Sequence, residues 1–351
     1  MGKLDRIAKK IAGIRKASEA NFSTRGRHRK SPLSAREDEY SAPDQIKRDL
    51  LEKYSGKDIL SVTEFERVST DYGETLHLEE RVEKSFLTPD SSITDVLSDL
   101  KIVYGIGSVR EKELKEKGFE TIEDLMDHQK WGEKAKAVHN VFNDELSRGY
   151  DLLRKWKSLS DSSFLQYSGL FDREQFAIVD IETLGLSNQP IFLLGLAHPG
   201  GSGMVVHQFL AEDLNQELAT LMNFARHLEE RDLILTYNGK NFDMPYIERR
   251  LAYYGQRRKF SHPHLDLYLF TRKFIGPGTR NCKLGTIERS VLGVKRDLDV
   301  PSARVPDFYT TSREEKNPGP LIPILVHNRQ DLLSLADLYW ELIEETLNGN
   351  K

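Results

Sequence analysis

Three apolar, strand-like runs, residues 175–181, 191–198 and 204–210, follow one another with connections too short to carry the chain across a sheet. A parallel return needs a dozen or more residues, usually with a helix in them, so these runs should pair as an antiparallel meander. The apolar spacing then changes to a helical stripe at Leu214, Leu218, Leu221, Ala225 and Leu228. A buried-looking strand over 233–237 follows, then a second helix that Pro245 opens and Gly255 closes. A short strand around 265–268 adds a fifth member. The closing helix, ending near Leu347, presents Leu332, Leu335, Ala336, Tyr339 and Leu342 on one face. The pattern is that of an α/β domain with a mixed five-stranded sheet flanked by helices. Segment 297–320, rich in Pro, Ser and charge, reads as a surface connection.

At 351 residues the chain is longer than one hydrophobic core usually serves. The expected divisions are a basic flexible arm over 1–45 with a short helix at 4–17, a small β-containing element over 46–92, a helical module over 93–158, and the α/β domain over 165–351. Asp71, Tyr72 and Gly73 supply the turn of a hairpin in the β element, and 134–158 reads as one helix leading into the α/β domain. The longest apolar run, 191–197, is far short of the ~20 residues of a membrane span. The Lys- and Arg-rich N-terminus has no apolar h-region followed by a cleavage site, so a cytoplasmic protein without membrane contact is expected. The single cysteine, Cys282, has no second Cys with which to form a disulfide or a zinc site.

Three short patterns carry chemistry. Asp180 and Glu182 lie two apart at the end of an apolar strand, so the pleat puts both carboxylates on one face. Two such acids repel, and hard divalent cations prefer oxygen ligands of this kind. Asn238-Gly-Lys-Asn-Phe242-Asp243 lies between a buried strand and a helix, at the carboxyl end of a strand, where α/β sheets collect their chemistry. His327 and Asp331 share a helical face. Each piece also has a plain reading alone: a strand ending in polar residues, a helix cap, a surface pair. Together, four acids on these elements can hold two divalent cations, Mg²⁺ or Mn²⁺, about 4 Å apart for phosphodiester hydrolysis.

These patterns, with the stretches TYNGKNFDMPYI, HLDLY and HNRQD, resemble the three exonuclease motifs of the DEDD superfamily and are closest in wording to the YprB-like RNase H-like nucleases. The resemblance spans about 176–347. It implies an RNase H-like fold, metal binding by Asp180, Glu182, Asp243 and Asp331, and His327 as the general base that orients or deprotonates the attacking water. One departure is that three residues separate His327 from Asp331, the spacing of the Tyr-type branch, where the His-type branch has four. Asp266 is compatible with either a supporting or a structural role.

Residues 100–127 resemble a helix-hairpin-helix motif. Gly105 and Gly107 would form the hairpin, and the Thr121 to Asp124 box would start the next helix. Such glycines bring backbone N–H groups close to a nucleic-acid phosphate, although the module also reads as one used for packing. The net charge of −4 conceals basic stretches over 1–30 and 249–296. Asn238, Lys240, Arg257 and Arg258 are the further candidate nucleic-acid contacts. The expected function is a metal-dependent 3′→5′ exonuclease on single-stranded DNA or frayed 3′ ends. The alternatives are an RNA exonuclease, a structure-dependent endonuclease, or a non-catalytic nucleic-acid-binding adaptor.

Overall fold

The computed structural model describes residues 32–296 and 300–348. The helix expected over 4–17 lies outside them. Helix α1 (Pro32–Lys53) runs through the boundary expected at residue 45. It is followed by a hairpin of β1 (Glu66–Thr70) and β2 (Gly73–Val82). Asp71 and Tyr72 make the turn, and Gly73 takes φ +114°, a conformation that favours glycine.

The next segment is helical: α2 (Ser108–Lys115), α3 (Gly132–Asp144), α4 (Leu146–Trp156) and α5 (Ser162–Ser168). The single helix expected over 134–158 is two, broken at the extended Glu145. The break lets α4 fold back on α3, and the absent side chain of Gly149 makes room: a Cβ there would lie 2.9 Å from the Phe142 ring. The Thr121 box forms, with Thr121 N donating to Asp124 Oδ2 at 2.8 Å and Asp124 N donating to Thr121 Oγ1 at 3.2 Å.

The α/β region contributes β3 (Phe176–Thr183), β4 (Ile191–Gly200), β5 (Gly203–Leu210), α6 (Glu217–Glu229), β6 (Leu233–Thr236), α7 (Asp243–Tyr253) and β7 (His264–Asp266). Helices α8 (Leu284–Ser290), α9 (Val305–Glu314) and α10 (Leu321–Ile343) follow. The strands form one mixed sheet in the order β1-β2-β5-β4-β3-β6-β7, with the β3–β6 and β6–β7 pairs parallel. The expected five-stranded sheet is therefore seven-stranded, because residues 76–82 of the hairpin pair with 204–210 of β5. The hairpin is not a separate element. Its alternation buries Leu76, Leu78 and Glu80, and a two-stranded hairpin needs such a neighbour to be stable.

Side-chain alternation along β3 divides the layers. Ala177, Val179 and Ile181 pack toward α6 and α7, while Phe176 and Ile178 pack toward Leu332, Leu335 and Tyr339 of α10. The helical segment shares this second core, and its Tyr150 OH donates to His264 O at 2.6 Å. Segment 297–320 is not only a surface connection. Val305, Phe308 and Tyr309, spaced as one helical stripe, are buried, and Tyr309 stacks on Phe192 with ring centroids 4.1 Å apart. Helix α10 approaches β4 closely at Gly195, where a Cβ would lie 2.5 Å from Asn328 Oδ1. Among the described residues, no helix is long and apolar enough to cross a membrane.

Candidate active site

Asp180 and Glu182 continue the face of Phe176 and Ile178, so β3 aims both carboxylates at α10. There Asn328 Nδ2 donates to Asp180 Oδ2 at 2.8 Å. The orientation of the Asn328 amide is fixed from behind, because Gln208 Nε2 donates to its Oδ1 at 2.9 Å. The ladder between β3 and β4 shifts register between Glu182 and Thr183.

Asp243 arrives from the carboxyl end of β6, at the first turn of α7, and is buried. The loop before it is tight: Asn238 takes φ +63°, and a Cβ on Gly239 would strike Thr236 at 2.5 Å. Asp266 braces this loop. Its carboxylate accepts from Asn238 N at 2.6 Å, from Lys240 N at 3.2 Å and from Tyr268 N at 3.2 Å. Asp266 thus positions the segment that carries Asp243.

His327 and Asp331 sit one turn apart on α10, with His327 Nε2 3.4 Å from Asp331 Oδ2. Arg296 joins them: its guanidinium pairs with the Asp331 carboxylate and approaches His327 Nδ1 at 2.7 Å. It also holds Glu288 through two hydrogen bonds of 2.7 Å, and Ser334 Oγ donates to Glu288 Oε1 at 2.6 Å. A guanidinium only donates. In this arrangement His327 therefore accepts at Nδ1 and carries its hydrogen on Nε2, toward Asp331. Both ring nitrogens are engaged, and Arg296 must shift before His327 Nδ1 can take a proton from water.

The electrostatics follow from crowding. Burial, then the charges of Asp331, Glu182 and Asp243, hold the Asp180 carboxyl well above the ordinary range. Burial, opposed by His327 and Arg296 and reinforced by the charges of Asp331 and Asp243, pushes Glu182 up to about 7. Asp243 is likewise raised to about 7, chiefly by burial, even though backbone amides including that of Ile181 favour its charged form. Asp331 is raised by burial despite His327 and Arg296. Three chain segments thus bring four mutually repelling carboxylates together. Oxygen donors of this charge are the kind that hard divalent cations prefer.

A cleft of about 660 Å³ opens beside Asp331, lined by Asn238, Tyr268, Lys283, Arg289, Arg296 and His327 among others. Of the expected nucleic-acid contacts only Asn238 faces it. Lys240 points inward instead: its Nζ donates to Tyr150 OH at 2.9 Å, and burial, then Arg154, lowers its pKa to about 8. Arg257 and Arg258 follow the far end of α7. The 11 residues of that helix, at about 1.5 Å each, separate them from Asp243, and Arg258 pairs with Glu229 at 2.5 Å. Gly105 and Gly107 lie in the helical segment, outside the cleft lining. Gly105 takes φ +93° with its Cβ direction against Trp131, and Gly107 precedes α2. Tyr254 OH donates to the buried Glu217. Sequence reasoning missed Glu288, Asn328 and Arg296 as site residues. Asn328 stands inside the HNRQD stretch, the one local signal available.

Residues 177–343 match the model of a family described as the RNase_H superfamily. The chain is 29% identical to YprB of Bacillus subtilis (strain 168) over 203 residues, covering 56% of this chain and 49% of that protein. It is 33% identical over 110 residues to DNA polymerase 1 of Aeropyrum pernix, covering 26% of this chain and 12% of the polymerase. The chain therefore spans about half the length of YprB and a small part of the polymerase. Among solved structures, the family B DNA polymerase of the hyperthermophilic archaeon Pyrobaculum calidifontis aligns with a TM-score of 0.38 at 18% identity, over 48% of this chain and 24% of that one.

Proposed function

From the premise that residues 177–343 are an RNase H-like domain in a chain related to YprB, we propose a divalent-metal-dependent nuclease, acting as a 3′→5′ exonuclease on single-stranded DNA or frayed 3′ ends. The observation that carries this reading is the meeting of Asp180, Glu182, Asp243 and Asp331 in one partly buried cluster beside a cleft lined with cations. The four acids would hold two Mg²⁺ or Mn²⁺ ions, which when bound supply Lewis-acid polarisation of the phosphodiester and a nucleophile at neutral pH.

The chain's own residues do the rest. Asn328 fixes the Asp180 carboxylate. Asp266 fixes the loop that presents Asp243. His327 holds or releases a proton at Nδ1 once Arg296 has swung away from it. Freed from His327, Arg296 remains anchored by Glu288 and can meet a phosphate oxygen. Lys283 and Arg289 extend this positive lining along the cleft. The helical segment, with Gly105 and Gly107 as its candidate backbone contacts, adds sequence-independent grip on a DNA strand.

The deciding experiment is a gel assay on 5′- and 3′-labelled single-stranded DNA and RNA with Mn²⁺, Mg²⁺ or EDTA, comparing wild type with Asp243→Ala. A DNA ladder shrinking from the 3′ end, lost in EDTA and in the variant, is expected. Internal cuts would establish an endonuclease, RNA-only cleavage would reassign the polymer, and tight binding without cleavage would favour the adaptor.

The cleft also separates two sets of cations. Lys283→Ala with Arg289→Ala should raise KM for the oligonucleotide about tenfold or more, as expected for lost charge-assisted phosphate contacts. Arg257→Ala with Arg258→Ala should leave KM within about twofold, since surface changes away from the site act weakly. The reverse ranking in steady-state kinetics would move the substrate path to the far end of α7.

A further inference from the structure

Histidines collect on the other face of the sheet. His77 on β2, His207 on β5 and His227 on α6 offer one ligand nitrogen each, all within 4.8 Å of one another. In register, His207 lies opposite Leu196, which packs in the α6 and α7 layer, whereas Asp180 lies opposite Gly195 and faces α10. The sheet therefore separates the histidines from the carboxylates. Burial is graded: His207 is 4% exposed, while His77 and His227 are half-buried and give an ion a way in.

The hydrogen bonds fix the tautomers. His198 Nδ1 lies 2.9 Å from Pro199 O and must donate to it, so His198 Nε2 is an acceptor. His207 Nε2, 3.3 Å away, then donates to His198, which leaves a lone pair on His207 Nδ1. His227 Nδ1 donates to Asn223 O at 2.9 Å, which leaves a lone pair on His227 Nε2. Two of the three rings are thus held in the ligating tautomer by partners on their other nitrogens, as in the outer shells of metal sites. His77 Nε2 sits 3.0 Å from His207 Nδ1, near the roughly 3.3 Å that separates two imidazole nitrogens on a tetrahedral ion with bonds of about 2.0–2.1 Å. His77 needs only to move its one proton from Nε2 to Nδ1, so the neutral ring ligates with no net proton release.

We propose that His77, His207 and His227 form a structural site for a borderline-soft divalent cation of the Zn²⁺ kind, clamping the hairpin strand β2 and helix α6 onto β5. Imidazole donors suit such ions, whereas Mg²⁺ and Mn²⁺ prefer oxygen. Burial holds His77 down to about 4 and lowers His207 and His227, which keeps the rings neutral and their lone pairs available at neutral pH. Glu79, Glu174 and Glu230 offset Arg226 and Arg231 around the cluster.

The test uses the full chain carrying Asp180→Asn, so that the carboxylates compete less, titrated with Co²⁺ and followed by its visible d–d absorption. One equivalent should give a tetrahedral-type band that Zn²⁺ displaces and that His77→Ala or His227→Ala abolishes, while His262→Ala retains it. X-ray absorption of the wild-type chain with one Zn²⁺ should independently find two or more imidazole ligands, a readout that needs no variant to fold. No band, a band surviving in both histidine variants, or an oxygen-only shell would overturn the site and leave the rings as an aromatic stack around Phe209. None of these outcomes bears on the nuclease reading, which rests on the opposite face.

Discussion

In EDTA, Asp180→Asn is expected to melt a few degrees above the wild-type chain while losing about 10³-fold or more of its cleavage rate with metal restored. The two effects share one cause. Asp180 lies among Glu182, Asp243 and Asp331 on the sheet face covered by α10, and its carboxyl is held well above the ordinary range by burial and by their charges. A carboxyl whose pKa is raised on folding stabilises the fold at low pH and loses that contribution as pH rises through its folded value. At neutral pH without metal, Asp180 therefore opposes folding. An amide relieves the repulsion and can still accept from Asn328 Nδ2, which lies 2.8 Å from Asp180 Oδ2. The stability gain should shrink as pH falls toward the ordinary carboxylate range, where the wild-type acids also become neutral. Saturating Mn²⁺ should raise the wild-type Tm and leave the variant nearly unmoved, since a ligand stabilises only the state that binds it. Differential scanning calorimetry in EDTA, over a pH series, together with single-turnover cleavage, checks both halves. A variant that melts below wild type in EDTA, or that cleaves within tenfold of it, would remove Asp180 from the metal set.

Glu217→Ala should have the largest effect on stability, about 3–5 kcal/mol. Glu217 opens α6 with no exposure, and its carboxylate accepts from Ile191 N at 2.8 Å, Arg250 Nε at 2.7 Å and Tyr254 OH at 2.7 Å. Arg250 NH2 completes a bidentate pair. This one side chain joins β4, α6 and α7, and α7 is the helix that begins with Asp243. Alanine leaves the buried Arg250 guanidinium without its counter-charge and two other donors without an acceptor, the costly way to break a buried pair. Replacing both partners, Glu217→Leu with Arg250→Met, should recover most of the loss. Urea denaturation of the two single variants and the double variant measures this. A loss below about 1 kcal/mol for Glu217→Ala would mean that water reaches the pair.

What could be read from the sequence was local and periodic. The period of two along β3 put Asp180 and Glu182 on one face, and the period of four on α10 put His327 beside Asp331, because these spacings follow from backbone geometry alone. The meander was legible because its connections leave no room for a crossover. Pairing between distant segments was not legible. Nothing in residues 66–82 says that the hairpin joins the β5 edge rather than standing alone, and Arg296 gives no sign among its basic neighbours that it alone reaches Asp331 and Glu288. Lys240, read as a candidate nucleic-acid contact, is turned inward by Tyr150, a residue of the helical segment far from it in sequence. The break at Glu145 depends on Gly149 meeting Phe142, a packing event and not a propensity.

The contacts between segments far apart in sequence bear on how the fold is assembled. Lys47 reaches Asp307 across 260 residues, Asn317 Nδ2 donates to Leu51 O across 266, and the buried Glu80 is held by Arg329 across 249. On a ribosome, α1 and β2 emerge well before these partners. The early hairpin also waits for β5 before its open edge is covered. Closing loops of that length is slow compared with forming helices locally, so the edge of β2 stays unpaired until β5 has emerged. The carboxylate cluster shares this timing, because Asp331 stands two residues beyond Arg329 on the same helix. The candidate site is therefore assembled only after α10 has been delivered, about 150 residues after β3.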